Sequence, residues 1–557
     1  MIWSTEDRAA VLALMLLGTA SAQTAPGRQE TPIMGYNSYN DVACSPNETM
    51  IHDTIQSMSD KGFLGLGYKF FQIDCGWQGY DRLSNGSITY DDTVFPNGIA
   101  PLSEFAIGLG FKWSMYTDQG VYSCDTSYDP HRPGSLGYET QDAAMFAAWN
   151  TAYVKVDNCF VDPDQNAPKD ARTDFPSRYA KMWNALQGVG IPNMLICQWG
   201  TPYQNTSTNT LQGPTAWAPA VSTSFRISDD ISQGWTSTLR IYNQVIHASL
   251  LDLVGPGRFA DMDLLEVGNP GMTVDEQKTH FAVWATFKSA LMISTSVPRM
   301  TAQTAEILGN QDLIAINQDA LGLPVKLIQR FSNDYDIFLG PLADGDKVLL
   351  IVDHSNTART LSVQLTDVGI SSATARDLWA GENLGSVSSV SQSLPAHGSM
   401  VFRLSSIQSA PSTTPEYQDL EAESATLANG ASVSSCSGCS GGQKVGNLLS
   451  GSTASVTFTG VQASQSTVDV LFDYINCEVQ YLGSSVPNVR TASISVNGGA
   501  GITVLFPLSG YDWYGDVLPS YKVRLSGFTS GSQNTITVQS ASGQGNAPDI
   551  DRIRVPL

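Results

Sequence analysis

The stretch Tyr153-Val154-Lys155-Val156-Asp157-Asn158-Cys159 decides the fold. Its opening residues, aromatic and β-branched, read as a buried strand. Lys155 and Asp157 are two apart, so on a strand they project from one face. Burying a cation and an anion together is costly unless the pair lines a site. The stretch therefore reads as a core strand whose C-terminal end carries chemistry, and what matters next is the company it keeps.

Seven further short apolar runs flank it, at 33–36, 69–73, 112–116, 194–197, 224–227, 259–264 and 290–295, making eight with 153–156. Helical faces lie between them: Ile51, Ile55 and Met58; Leu102, Phe105, Ala106 and Leu109; Tyr179, Met182, Trp183 and Leu186; Trp235, Leu239, Tyr242 and Ile246. Thr273 and Glu276 form a capping-box pattern ahead of Phe281, Trp284 and Phe287. Eight strands alternating with helices predict a (β/α)8 TIM barrel over 30–322, with an open doubly wound sheet as the competing arrangement. Beyond Leu323 the period shortens to that of strands, which predicts a small antiparallel β domain over 323–404. Residues 405–416 are rich in Ser, Thr and Pro and read as a linker. Residues 417–557, rich in Val, Thr, Ser and Gly, read as a β-sandwich.

The chain has 557 residues, enough for several domains, and carries 30 Lys+Arg against 52 Asp+Glu for a net charge of −22. That surface repels polyanions, so nucleic acid is not an expected partner. An apolar run at 9–17 followed by Thr19-Ala20-Ser21-Ala22 reads as a signal peptide over 1–22, although Glu6 and Asp7 outweigh Arg8 ahead of it. No stretch has transmembrane length, so no membrane partner is expected. Sequons at Asn47, Asn85 and Asn205 and an even count of 8 cysteines fit a secreted, glycosylated, disulfide-bonded protein.

In a (β/α)8 barrel the site lies at the C-terminal ends of the strands. Those ends carry Asp74, then Tyr116 and Asp118, Lys155 and Asp157, Gln198 and Trp199, Arg226 with Asp229 and Asp230, and Asp261 with Asp263. Helix capping accounts for some of these acids. It does not account for Lys155, Tyr116, Trp199 and Arg226 joining them. A rim of carboxylates, amides and aromatics without a histidine cluster suits sugar chemistry, with two carboxyl groups flanking the scissile bond.

The motifs Met34-Gly35-Tyr36-Asn37-Ser38-Tyr39, 153–159, 226–230, Gly255-Pro256-Gly257 and 316–322 together resemble the α-galactosidase (melibiase) group, glycoside hydrolase family 27. The resemblance implies retaining hydrolysis of terminal non-reducing α-D-galactosyl groups in galacto-oligosaccharides and galactomannans, with no catalytic cofactor. It makes Asp157 the nucleophile and Asp230 the acid/base, with Asp229 one place off the family spacing. It puts Tyr39, Asp74, Tyr116, Lys155, Gln198, Trp199, Arg226 and Asp263 around the sugar. Two positions depart from the family. Asp74-Cys75-Gly76-Trp77 stands where the family usually reads Asp-Asp-Cys-Trp, and Gln198 stands where a glutamate is common. Sibling specificities (α-N-acetylgalactosamine, β-L-arabinopyranose, isomaltose-type) and a non-catalytic lectin are the alternatives.

The same resemblance implies disulfides Cys124–Cys159 and Cys44–Cys75 and a free Cys197. Cys436 and Cys439 pair locally or one of them pairs with Cys477. Residues 417–557 resemble a family 35 or family 6 carbohydrate-binding module, which implies a structural calcium at Glu421, Glu423 and Asp551; surface acids are the plainer reading. Tyr511-Asp512-Trp513-Tyr514 is either the sugar platform of that module, core packing or an interdomain contact.

Overall fold

The computed structural model describes residues 30–125, 130–161, 173–331, 334–411, 416–479 and 488–557. The signal segment at 1–22 lies outside them. Eight parallel strands form the first unit: β1 (Met34–Asn37), β2 (Phe70–Gln72), β3 (Lys112–Asp118), β4 (Tyr153–Asp157), β5 (Asn193–Ile196), β6 (Ser224–Arg226), β7 (Phe259–Asp261) and β8 (Leu291–Ile293). They neighbour one another in chain order, with β8 beside β1. A parallel bridge between Leu265 and Ile293 joins the remaining edge, so the sheet curls into a (β/α)8 barrel.

The barrel helices form where the apolar spacing demands. Helix α1 (Glu48–Asp60) buries Ile51, Ile55 and Met58 and is capped by Asn47. Helices α2 (Ile99–Leu109), α3 (Glu139–Ala148), α4 (Phe175–Gly188) and α5 (Trp235–Leu250) follow. Helix α6 (Val274–Thr286) opens on the Thr273–Glu276 capping box. The apolar run at 259–264 is only partly strand. Asp263 adopts φ +76, which breaks the extended backbone after Asp261 and redirects the chain at the rim.

The second unit is antiparallel. Strands β9 (Lys326–Phe331), β10 (Tyr335–Pro341), β11 (Lys347–Asp353), β12 (Arg359–Gln364), β13 (Ile370–Asp377), β14 (Glu382–Val387), β15 (Ser389–Leu394) and β16 (Ser399–Ser409) make a six-stranded sheet and a two-stranded one. The expected linker at 405–416 needs correction at its start. Strand β16 runs on to Ser409, where it pairs with Ile370, because that segment completes the edge of β13. The unit packs against α6, where Thr279 Oγ1 donates to the His397 carbonyl at 2.8 Å, and against the start of α5, where the Trp235 ring stacks on the His397 ring.

Residues 417–557 form two sheets of antiparallel strands facing each other across an apolar core that includes Val470, Phe472, Tyr474, Val504, Phe506, Val523 and Ile553. This sandwich is not a loose appendage. Arg330 of β9, fully buried, pairs with Asp336 at 2.8 Å and donates to Asn243 of α5, and the Tyr521 ring of the sandwich stands beside it. Tyr511 is buried against the barrel, its ring 5.7 Å from that of His247 on α5.

Candidate active site

Strand β4 lies between β3 and β5, with Lys155 opposite Tyr116 and Asp157 opposite Asp118. Because side chains alternate, Lys155 and Asp157 both face the mouth of the barrel. A cavity of about 200 Å³ opens there, lined by Asp157, Lys155, Asp74, Trp199, Arg226, Asp230, Asp263 and Tyr39 among others.

Asp157 is buried. Its Oδ2 accepts from the Tyr116 hydroxyl at 3.0 Å and its Oδ1 from the Asn158 backbone at 3.0 Å. Burial pushes its carboxyl up to about 6; the Lys155 charge opposes that shift, and Asp230 and Asp74 add to it. Lys155 donates to Asp74 at 2.9 Å, and Asp74 also accepts from Asn37 at 2.7 Å. Burial opposes the Lys155 charge, but Asp74, Cys197, Asp157 and Asp263 together raise its pKa and hold it as an ammonium.

Arg226 is the second hub. Its guanidinium reaches Asp230 at 2.9 Å and Asp263 at 2.8 Å. The Arg226 side chain is 2% exposed while that of Asp230 is 50% exposed, so the arginine forms the wall and Asp230 faces the opening. Asp263 Oδ2 also accepts from the Ile231 backbone at 2.7 Å, which fixes the turn after Asp230. Asp229 is turned away: it does not line the cavity, and its Oδ1 accepts from the Asp230 backbone at 2.7 Å. Burial, with the Asp230 charge adding, pushes Asp229 up to about 6.

Two of the residues read as sugar ligands stand elsewhere. Gln198 is fully buried, and its amide is consumed by its own turn, accepting from Gly200 N at 2.6 Å and donating to the Thr201 carbonyl. Tyr116 stands behind Asp157 and does not line the cavity. Trp199 does line it, from a backbone held at φ +60.

The cavity wall also includes residues that rim-reading passed over: Asn40, Ile231, Leu264, Cys75, Cys124 and Cys159. Asp74 directly follows the second run, whereas Asn40 stands in a helical turn beyond the end of the first, past the strand-end positions. The cysteines form Cys44–Cys75 and Cys124–Cys159, with Cα separations of 4.7 and 5.1 Å. Cys75, in the place of the family's second aspartate, thus sits in the wall with its sulfur bonded to Cys44. Cys436 pairs with Cys439, leaving Cys197 and Cys477 free and buried.

The other candidate positions are scattered. The Oδ1 atoms of Asn47, Asn85 and Asn205 each accept a backbone N–H of their own turn, from Met50, Ser87 and Ser207. In the sandwich, Ser440 Oγ bridges Glu421 Oε2 and Asp551 Oδ1, and Glu423 Oε2 is buried without a hydrogen-bond partner among the described residues. The aromatic run 511–514 divides. Tyr511 makes the interdomain contact; the Arg490 guanidinium lies over the Trp513 ring, 4.4 Å from its centroid; Tyr514 is exposed.

Carboxylates gathered at the strand ends of a (β/α)8 barrel, with buried Lys155 on Asp74 and buried Arg226 on Asp230 and Asp263, define the class as that of the barrel glycosidases. The matching family models are those of α-galactosidase A over residues 34–319 and of the α-galactosidase C-terminal β-sandwich domain over 332–404. The chain belongs to the α-galactosidase family. α-Galactosidase D of Emericella nidulans is 36% identical over 411 residues, covering 71% of this chain and 60% of that protein. The chain thus spans about three fifths of that relative's length. The structure of α-galactosidase I from Mortierella vinacea aligns over 70% of this chain and 100% of its own, with TM-score 0.62 and 30% identity. That of Saccharomyces cerevisiae α-galactosidase with raffinose aligns over 67% of this chain and 97% of its own, with TM-score 0.61 and 26% identity.

Proposed function

We propose that this chain is a secreted retaining α-galactosidase that removes terminal non-reducing α-D-galactosyl groups from galacto-oligosaccharides and galactomannans. The observation that carries the reading is that Asp157 and Asp230 line one cavity in opposite settings, one buried on a strand and hydrogen-bonded by Tyr116, the other half-exposed and paired with Arg226. In the reaction the Asp157 carboxylate attacks the anomeric carbon while Asp230 gives its proton to the departing glycosidic oxygen. A galactosyl ester on Asp157 results. Asp230, now a carboxylate, takes a proton from water, which displaces Asp157 from the anomeric carbon and restores the α configuration. Lys155, Asp74, Trp199, Arg226 and Asp263 line the space in which the sugar sits. Gln198 and Tyr116 act from behind that layer, Gln198 by shaping the Trp199 turn and Tyr116 by holding Asp157.

Azide rescue distinguishes the two roles. Asp157→Gly should be inactive and, with azide and an activated α-galactoside, yield β-galactosyl azide. Asp230→Gly should yield the α-azide through the enzyme ester. The same products from both variants, or hydrolysis of a different nitrophenyl glycoside in preference to the α-galactoside, would refute the assignment.

The sandwich is proposed as a sugar-binding module with a structural calcium at Glu421, Glu423 and Asp551. Its donors are hard carboxylate oxygens, and Glu423 Oε2 has no partner among the described residues. These carboxylates do not converge as a ready cage: among the described residues the groups drawn within 4.8 Å are Asp118, Cys124 and Cys159, two of which share a disulfide. A chelator should lower the melting temperature of the sandwich and calcium restore it; an unchanged transition removes the metal from the proposal. Export is supported by the three disulfides and by sequon side chains standing at turns.

A further inference from the structure

Three clefts run into one another at the mouth of the cavity. A second cleft, of about 680 Å³, shares Tyr39, Asn40 and Ile231 with the catalytic cavity. A third, of about 330 Å³, shares Asn40, Asp41 and Gln233 with the second. Together they make a trough over the loops that follow β1, β6, β7 and β8. The trough starts at Asp230 itself, since Ile231, Ser232 and Gln233 are the next residues of the chain and line it.

That placement has a chemical consequence. The glycosidic oxygen must lie beside Asp230 to be protonated, so the departing part of the substrate extends along Ile231 to Gln233. We propose that the trough binds this departing part as an oligosaccharide of at least two sugar units, so that the enzyme favours galactosyl groups carried on longer neutral glycans. The inference rests on the α-galactosidase reading above. Size supports it: a cavity of about 200 Å³ receives the single galactosyl unit, and the two clefts beyond it are each larger.

The wall chemistry supports it too. Asn40, Gln233, Asn269 and Thr295 present amides and a hydroxyl, the partners an uncharged polyol needs. Two of the amides are held in a set orientation. Glu266, 1% exposed, accepts from Nδ2 of Asn40 and, at 2.9 Å, from Nδ2 of Asn269, which also donates to the Ser294 carbonyl. With both nitrogens turned inward, the Oδ1 atoms of Asn40 and Asn269 have no partner among the described residues. They are left to accept from sugar hydroxyls. Tyr39, 37% exposed at the junction of cavity and trough, supplies an aromatic face for the first leaving sugar.

The test compares kcat/KM for p-nitrophenyl α-galactoside with that for α-galactosides whose leaving part has one, two or three sugar units. The value should rise about three- to tenfold from one unit to three, the scale of one or two net hydrogen bonds. Asn269→Ala and Gln233→Ala should each remove about two- to tenfold of kcat/KM on the longest substrate. Both should leave the chromogenic glycoside within about twofold, which also reports that the variants fold. A series flat with length, or equal losses on every substrate, overturns the trough while the galactosidase reading stands. No hydrolysis of any α-galactoside, the chromogenic one included, overturns that reading and the trough with it.

Discussion

The Lys155 ammonium lies 2.9 Å from the carboxylate of Asp74, which follows the strand two places round the barrel, while Asp157 on its own strand takes its hydrogen bond from Tyr116 instead. The pair that looked like one ion pair along β4 is therefore two linked systems. Lys155 neutralises Asp74 and acts on Asp157 through space, whereas Arg226 pairs directly with both Asp263 and Asp230.

Lys155→Met separates those contributions. It leaves Asp74 buried with its cation gone, which should cost about 3 kcal/mol of stability, since breaking a buried pair exposes the survivor's full desolvation. It also removes the charge that most lowers the Asp157 pKa, so the acid limb of kcat/KM should move to higher pH. Thermal melting and a pH–rate profile measure both. An unshifted limb would mean that Asp157 does not sense Lys155.

In the unsubstituted enzyme the acid limb of kcat/KM should lie near pH 6, above the ordinary carboxylate range. Burial raises Asp157, and the nucleophile works only as the anion. A limb near pH 4 on a slow, non-sticky substrate would show that Asp157 is better solvated than its surroundings imply.

Stability should follow the opposite trend in pH. Burial pushes Asp157, Asp229 and Asp261 up to about 6 and Glu266 up to about 7. Unfolded, these groups titrate near 4, so between pH 4 and pH 7 the folded state binds more protons. Stability from these groups is complete below the unfolded value and is lost as pH rises through the folded one. The melting temperature should be about 2–5 °C higher at pH 5 than at pH 8. A barrel transition that is flat or rises across that range would contradict the burial of these acids.

Gly213 offers a test of the interdomain contact. A Cβ there would stand 2.1 Å from the Tyr511 ring, so no side chain fits without moving the sandwich. Gly213→Val should destabilise by about 1–3 kcal/mol, as overpacking does. Gly213→Val with Tyr511→Ala should recover part of that loss. Denaturant melts of the single and double variants decide it, and purely additive losses would mean that the contact is not shared.

Much of the architecture was legible because burial imposes a period. Ile51, Ile55 and Met58 face the core of α1 as their spacing requires, and Thr273 caps α6 through the box its sequence spells. The run 259–264 misled because apolar content alone does not report φ, and Asp263 at φ +76 ends the strand early. Gln198 misled for a related reason. Its position after β5 is a rim position, but its amide turns back onto Gly200 and Thr201. The linker start misled because Ser405–Ser409 lacks apolar alternation yet completes the edge of β13 through backbone bonds, which any side chain permits.

By itself the sequence determined the alternation of strands and helices, the acids at the strand ends and the family motifs, because these are properties of order and spacing along the chain. The partners of those acids were decided only in three dimensions. That Lys155 answers to Asp74, that Arg226 bridges Asp230 and Asp263, and that Glu266 turns Asn40 and Asn269 toward the trough all join residues 37 to 226 positions apart or fix a side-chain direction within a turn. Charge pairing in a buried site depends on distance and desolvation, and neither is written in the chain until closure of the barrel brings its strand ends together.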